Sequence, residues 1–419
     1  MGKKISWIKA AIAVLLAVIV ALNSGVAPAL ALTDEQKLLL EVWRVVDRAY
    51  VDDTFNNQNW WLVRQKALKQ PLTTREQTYE AVQKMLASLD DPFTRLLKPN
   101  QYRSLQTNTS GELTGVGLQI AQDADTGKLI VIAPIAGSPA DRAGIQPADA
   151  ILEINGFSTR DLSLDEAAER MRGSVGSRVT LTIERAGTAL QSLEIVRDRI
   201  ELNPVIADLR LETDPSRQTT RKVGYIRLSQ FNANATAEVA HALARLEAQG
   251  AESYVLDLRN NPGGLLQAGI EVARLWLDQG TIVYTVNRQG VLGSFEANGQ
   301  ALTADPLVVL VNQGTASASE ILAGALRDNG RAKIVGEKTF GKGLIQSLFD
   351  LSDGSGVAVT VAKYETPNHS DINKLGITPD LSVALDPIAL NQVATAADTQ
   401  YQSAVELLTT DSILAAGAA

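Results

Sequence analysis

The chain has 419 residues, with 39 Lys+Arg against 47 Asp+Glu, no cysteine, two histidines and 45% hydrophobic residues. That length holds two or three packed domains, and the composition excludes collagen, coiled coil and disorder. Without cysteine there is no disulfide, thiolate metal site or Cys nucleophile, and two histidines leave little for a zinc cage, so neither a metal nor a cofactor is expected.

Residues 1–31 read as a cleaved signal peptide. Lys3, Lys4 and Lys9 precede an apolar run of 13 residues from Ala10 to Leu22, followed by the small-x-small site Ala29-Leu30-Ala31. The run is short for a membrane span of about 20 residues. The mature chain then begins at Leu32, and the formal charge of 39 − 47 = −8 becomes −11 with the three lysines removed. So acidic a protein is not expected to bind nucleic acid. Export by the ordinary secretory route is the expectation.

Residues 32–108 carry helical periodicity. Leu38, Val42, Val45 and Ala49 recur at helical spacing, as do Tyr79, Val82, Leu86 and Leu89 before Asp90-Asp91-Pro92 ends the pattern. Trp60 and Trp61 read as a core pair between the helices.

Residues 109–199 change to short strands punctuated by glycine. Strands are expected at Leu129 to Ile132, Ile151 to Ile154 and Val179 to Glu184, with a helix near Leu164 to Met171. The order resembles a PDZ domain, with Gly115-Val116-Gly117-Leu118 where that family has its carboxylate-binding loop. Physically, N–H groups freed by glycines make a concave anion site, and the adjoining strand edge can accept an extended peptide. Alone, G-x-G is only a tight turn; the surrounding strand and helix order favours the peptide-binding reading.

Residues 200–386 alternate strands and helices. Strands are expected at Val223 to Leu228, Tyr254 to Leu258, Ile282 to Val286, Leu307 to Val311 and Lys333 to Val335. Helices are expected at Ala235 to Ala248, Leu266 to Leu277 and Ser319 to Leu326, and Asp350 to Tyr364 reads as a hairpin. Residues 387–419 read as a weakly patterned peripheral tail. The fold class is a multidomain α/β protein: an N-terminal helical region, an inserted PDZ-like β-rich domain and an α/β core.

Neither histidine suits catalysis. His241 falls mid-helix and His369 in a polar loop, so a Ser-His-Asp triad lacks a base, and no G-x-S-x-G elbow is present. Two segments remain. Gly314-Thr-Ala-Ser317-Ala318-Ser-Glu320 leaves a buried strand and enters a helix, whose free N–H groups and partial positive charge suit a developing oxyanion. The same letters spell a Ser-x-x-Glu capping box, so Ser317 reads as either a cap or a nucleophile. Gly336 to Lys342 nearly spells a phosphate loop, but Gly343 stands where Ser or Thr is needed and no clear helix follows.

Lysine can serve as base for a serine only when neutral, and its ordinary pKa is about 10.4. Lowering that to about 7–8 costs about 4 kcal/mol, which burial can impose. Phe340, Gly341, Gly343 and Leu344 are suitable neighbours for Lys342, and Gln346 offers a carbonyl to orient the amine without adding a full charge.

Ser317 and Lys342 lie 342 − 317 = 25 residues apart. With that spacing, Gly314 to Glu320 and Phe340-Gly-Lys342-Gly-Leu-Ile-Gln346 resemble the carboxyl-terminal processing (tail-specific) serine proteases. Asp257-Leu-Arg-Asn-Asn-Pro-Gly-Gly264, Asp353-Gly-Ser-Gly356 and Gly376-Ile-Thr-Pro-Asp380 extend the resemblance over nearly the whole mature chain. It implies a Ser/Lys protease core with Ser317 as nucleophile, Lys342 as general base, Gln346 as its orienting partner, and Gly264 and Ala318 as oxyanion-hole donors; Gly263 is the alternative to Gly264. Val45 to Asp52 and Leu89 to Arg95 are similar to the enzymes that trim the C-terminal extension of the photosystem II D-one subunit. The resemblance implies that the partners are C-terminal tails of protein substrates, some of them beside a membrane, and that the compartment is the periplasm or thylakoid lumen; a monomeric or weakly associating chain is expected. A PDZ-type scaffold that captures C-termini without cutting them is the rival reading.

Overall fold

The computed structural model describes residues 32–123, 126–185, 187–214, 219–386 and 388–409. The leader read at residues 1–31 lies outside the described residues. No helix among the described residues is long and apolar enough to cross a membrane.

The N-terminal region forms helices Asp34–Ala49, Trp60–Leu68, Arg75–Ala87 and Pro99–Ser110. Thr33 starts the first with a reciprocal cap: its Oγ1 accepts the Gln36 N–H at 3.2 Å, and Gln36 Oε1 accepts the Thr33 N–H at 3.1 Å. Leu38, Leu39, Val42, Val46, Val82 and Leu86 bury the apolar stripes together. The tryptophan pair splits. Trp60 is buried, whereas Trp61 is 53% exposed beside Arg64: successive helical residues point about 100° apart, and this helix buries only the face that carries Trp60 and Ala67.

This region is not free of the core. Its strand Arg95–Leu97 pairs antiparallel with Gly356–Glu365, in a five-stranded sheet that also holds Leu344–Asp350, Thr281–Asn287 and Gly290–Glu296. The Asp353-Gly-Ser-Gly356 turn is a docking point: Asp353 accepts from Tyr79 at 2.7 Å and from Arg75 at 3.0 Å.

The PDZ-like module is a sheet of Leu118–Gln122, Leu129–Pro134, Ala150–Ile154, Arg178–Glu184 and Gln191–Val196, with Phe157–Ser158 on Ala150–Ile154. Helix Leu164–Met171 closes its core on Ala167 and Met171. Entry strand Glu112–Gly115 pairs with exit strand Asp198–Glu201, so the chain enters and leaves the insert at one place.

The α/β core carries a six-stranded sheet in the order Val205–Asp214, Thr219–Leu228, Ser253–Asp257, Leu307–Val311, Ala332–Gly336 and Leu381–Ser382, parallel after the first pair. Every residue of Ser253–Asp257 and Leu307–Val311 is buried, as central strands of a parallel sheet covered on both faces require. Helices Ala235–Ala248, Leu266–Arg274 and Ala318–Asp328 cover one face, because successive right-handed crossovers in one direction place them on one side.

The C-terminal stretch corrects the sequence reading. Helix Thr399–Thr409 covers the other face of the sheet, burying Tyr401, Ala404 and Leu408. Asp398, just before it, meets Arg259 at 2.8 Å, and Arg259 also meets Asp257 at 2.6 Å, all three buried. Alanine-rich spacing looks weak in sequence because small side chains carry little hydrophobic signal. Residues 410–419 lie outside the described residues.

Candidate active site

Strand Leu307–Val311 ends in a tight turn held by Thr315, whose Oγ1 donates to the Leu258 carbonyl at 2.8 Å. The chain then enters helix Ala318–Asp328 through Ser317 at φ 58°, ψ −117°. A serine in this sparsely populated region costs about 1–3 kcal/mol unless neighbours enforce it. They do. Ser317 N–H donates to Glu320 Oε2 at 2.9 Å, while the Ser317 carbonyl accepts the N–H groups of Glu320 and Ile321 at 2.8 and 3.0 Å.

The capping box pairs Ser317 with Glu320, but no side-chain cap hydrogen bond accompanies it. Glu320 reaches back as such a box requires, but Ser317 lacks the extended backbone of an ordinary cap, and its hydroxyl makes no hydrogen bond among the described residues.

Glu320 reaches further. Fully buried, it also accepts Thr339 Oγ1 at 2.5 Å, Gly341 N–H at 2.7 Å and Lys342 N–H at 2.9 Å. One carboxylate thus stitches the helix start to the segment carrying Lys342. Tyr364 adds a second tie, its hydroxyl lying within reach of both the Ser317 carbonyl, at 3.1 Å, and the Lys342 carbonyl. Burial, with Glu320 and Asp371 nearby, pushes the Tyr364 phenol well above its ordinary value.

Ser317 and Lys342 line one cavity of about 350 Å³, together with Gly264, Ala318 and Gln346. The Lys342 amine is held below its ordinary value, chiefly by burial and secondarily by Arg95, against the opposing pull of Asp91 and Glu320. No hydrogen bond joins it to Ser317 Oγ among the described residues. Its Nζ lies 4.9 Å from the centre of the Phe93 ring. Gln346 lies in the same cavity, but its amide nitrogen reaches Thr360 Oγ1 at 3.5 Å and forms no bond to the amine.

Two residues lining this space keep unpaired backbone donors. Gly264 and Ala318 N–H groups have no acceptor among the described residues, whereas Gly263 N–H is taken by Asn261 Oδ1 at 2.9 Å. That separates two glycines the sequence left interchangeable. Neither tolerates a side chain: a Cβ on Gly263 would sit 2.6 Å from the Ala316 carbonyl, and one on Gly264 would sit 2.1 Å from the Phe231 carbonyl.

The surroundings of Lys342 differ from expectation. Phe340 is 58% exposed and gives little cover. Phe93, Arg95, Leu105 and Thr109, all from the N-terminal region, line the cavity instead. Sequence reasoning quoted Leu89 to Arg95 as a pattern without placing its side chains. Strand Leu344–Asp350, not a helix, follows Lys342, which disposes of the phosphate-loop reading. His241 is exposed on its helix; His369 is exposed and bonded to Glu365 at 3.0 Å.

In the inserted module, Gly115, Val116, Gly117 and Leu118 line a narrow cleft of about 70 Å³ with Ile120, Ala168 and Met171. Leu118–Gln122 is the edge strand of its sheet. The loop's carbonyls are tied inward, Val116 accepting from Ala140 at 2.8 Å and Gly117 from Ile135 at 2.9 Å.

Comparison with known proteins identifies both parts of the fold. Residues 222–383 match the model for peptidase family S41, and residues 130–185 match a PDZ domain. The chain belongs to the carboxyl-terminal-processing proteases of peptidase family S41. It is 63% identical to a carboxyl-terminal-processing protease of Synechocystis over 91% of this chain and 88% of that one. With the Picosynechococcus protein of the same name it shares 60% identity over 97% of each chain. Among solved structures it resembles a photosystem II D1 C-terminal processing protease, with 44% identity, a TM-score of 0.57, and coverage of 88% of this chain and 100% of that one. The protein is a serine peptidase that trims carboxyl-terminal extensions.

Proposed function

We propose that peptide cleavage runs on Ser317 and Lys342. The observation that carries this reading is an unbonded serine hydroxyl at a helix start sharing one cavity with a lysine amine whose burial favours the neutral form. Neutral Lys342 takes the Ser317 proton as Oγ attacks the scissile carbonyl, and the resulting ammonium passes that proton to the departing amine. Water then adds to the acyl-enzyme by the same route in reverse. The Gly264 and Ala318 N–H groups receive the developing oxyanion, aided by the helix dipole. Gln346, on the strand beside the cavity, orients the amine once substrate fills the space.

The cleft between Leu118–Gln122 and Leu164–Met171 takes the substrate's C-terminal residues, the Gly115 to Leu118 loop receiving the carboxylate. The likeness to a D1 processing protease supports the precursor of the photosystem II D1 subunit as substrate, presented beside a membrane to a monomeric enzyme. Relatives from cyanobacteria and chloroplasts support the thylakoid lumen or periplasm, reached through the leader at residues 1–31.

The test uses the chain from Leu32 and peptides carrying the D1 C-terminal extension, with products read by mass. Wild type is expected to cut one bond. Ser317→Ala and Lys342→Ala should each lose about 10⁴-fold or more in turnover with the melting temperature preserved. Cleavage surviving in a folded Ser317→Ala chain would overturn the reading.

A further inference from the structure

The wall of the cavity around the Lys342 amine is borrowed from another part of the chain. Phe93 follows the third helix in a turn whose Asp91 organises it: Asp91 Oδ1 accepts the Phe93 N–H at 2.9 Å, and Oδ2 accepts the hydroxyls of Thr94 and Thr360, each at 2.7 Å. Thr360 N–H donates to Thr94 Oγ1 at 3.0 Å. These bonds clamp the turn to strand Gly356–Glu365, next to the strand that carries Gln346. The clamp fixes the Phe93 ring 4.9 Å from Lys342 Nζ, while no hydrogen bond holds that nitrogen among the described residues. An aromatic face attracts an ammonium through its quadrupole and has no such hold on a neutral amine.

We propose that Phe93 is a positioning residue for Lys342: its ring seats the charged amine away from Ser317 and releases it when the proton is lost. The ring thereby couples protonation to place. The inference rests on reading Lys342 as the base. Other groups also bear on the amine. Arg95 on the adjoining strand disfavours its charge; Asp91 in the turn and Glu320 on the helix favour it. Ser317 and the Tyr364 hydroxyl, which binds the Lys342 carbonyl, complete the surroundings. Substituting Phe93 leaves the side chains of all of these in place and removes only the ring face.

Phe93→Leu keeps apolar cover without the quadrupole, so Lys342 should hold its proton less tightly. The acid limb of kcat/KM is expected to move down by about half a pH unit or more, while Phe93→Tyr and Phe93→Trp keep the wild-type limb. A ring that merely filled space would, on removal, lower the rate by one factor at every pH. An unmoved limb in Phe93→Leu, or an equal shift in Phe93→Tyr, overturns the proposal. Phe93→Met replaces Phe93→Leu if the latter does not fold. A second measurement needs no cleavage: the rate at which acetic anhydride acylates Lys342 in a Ser317→Ala chain, followed against pH by the mass of the Lys342 peptide. Its midpoint should fall on adding Phe93→Leu, and an unmoved midpoint overturns the role of the ring. Retention of cleavage by Lys342→Ala would instead sink the Ser/Lys reading, so the two failures are distinguishable.

Discussion

The serine wall and the lysine wall of the cavity are built differently. The serine wall comes from the α/β core alone: a buried strand, a helix start at a strained backbone angle, and two glycines packed too closely to bear side chains. Its backbone is pinned by Thr315, which bonds the Leu258 carbonyl, and by Glu320, which bonds the Ser317 N–H. The lysine wall is composite, its backbone tied to the serine helix by Glu320 and Tyr364 and its cover supplied by Phe93 and Arg95 from the N-terminal region. Within it the amine itself is unbonded among the described residues. On the proposed reading of Ser317 as nucleophile and Lys342 as base, control of turnover falls on the side that depends on contacts between regions.

Glu320→Ala tests whether the two walls form one unit, and its effect should be the largest. It strands the Ser317, Gly341 and Lys342 N–H groups and the Thr339 hydroxyl. A loss of about 3 kcal/mol or more in urea denaturation is expected, with turnover abolished. Normal stability would show that the walls stand independently. Tyr364→Phe removes one hydroxyl between the same segments and should cost about 1–1.5 kcal/mol with a partial fall in kcat. If kcat is untouched, that tie is structural only.

The smallest effect sharpens the account of the lysine wall by its sign. Lys342 is held below its ordinary value in the folded chain, so between that lowered value and the unfolded value of about 10.4 the unfolded chain binds more protons, and stability rises with pH through that window. Lys342→Met removes this penalty. The variant should melt at a higher temperature than wild type at pH 6, with the advantage shrinking toward pH 10. A constant difference across pH would mean that burial does not oppose the charge.

Much of the core was legible because its signals are local. Leu307 to Val311 reads as a buried strand from an unbroken apolar run, and Ala235 to Ala248 as a helix from its period; both stand where the residues put them. The boundary at Leu266 was right but the helix stops at Arg274, short of Leu277, since the Trp276 and Leu277 core contacts continue the apolar pattern beyond the helical backbone. The strand Val205–Asp214 escaped notice because Ile206 and Leu211, on opposite faces of the strand, are both apolar and exposed, which erases the alternation.

By itself the amino-acid order determined which chemistry was possible: no thiol, no usable histidine, one serine at a helix start and one lysine among glycines. Those facts depend on residue type and short spacing, and so survive without a fold. Tertiary structure decided the rest. It decided that Glu320 binds the lysine segment besides the helix cap, that Gly264 rather than Gly263 keeps a free N–H, and that a ring 249 positions before Lys342, as 342 − 93 gives, covers its amine. Such contacts join residues far apart along the chain, and their geometry exists only after the sheets and helices have packed.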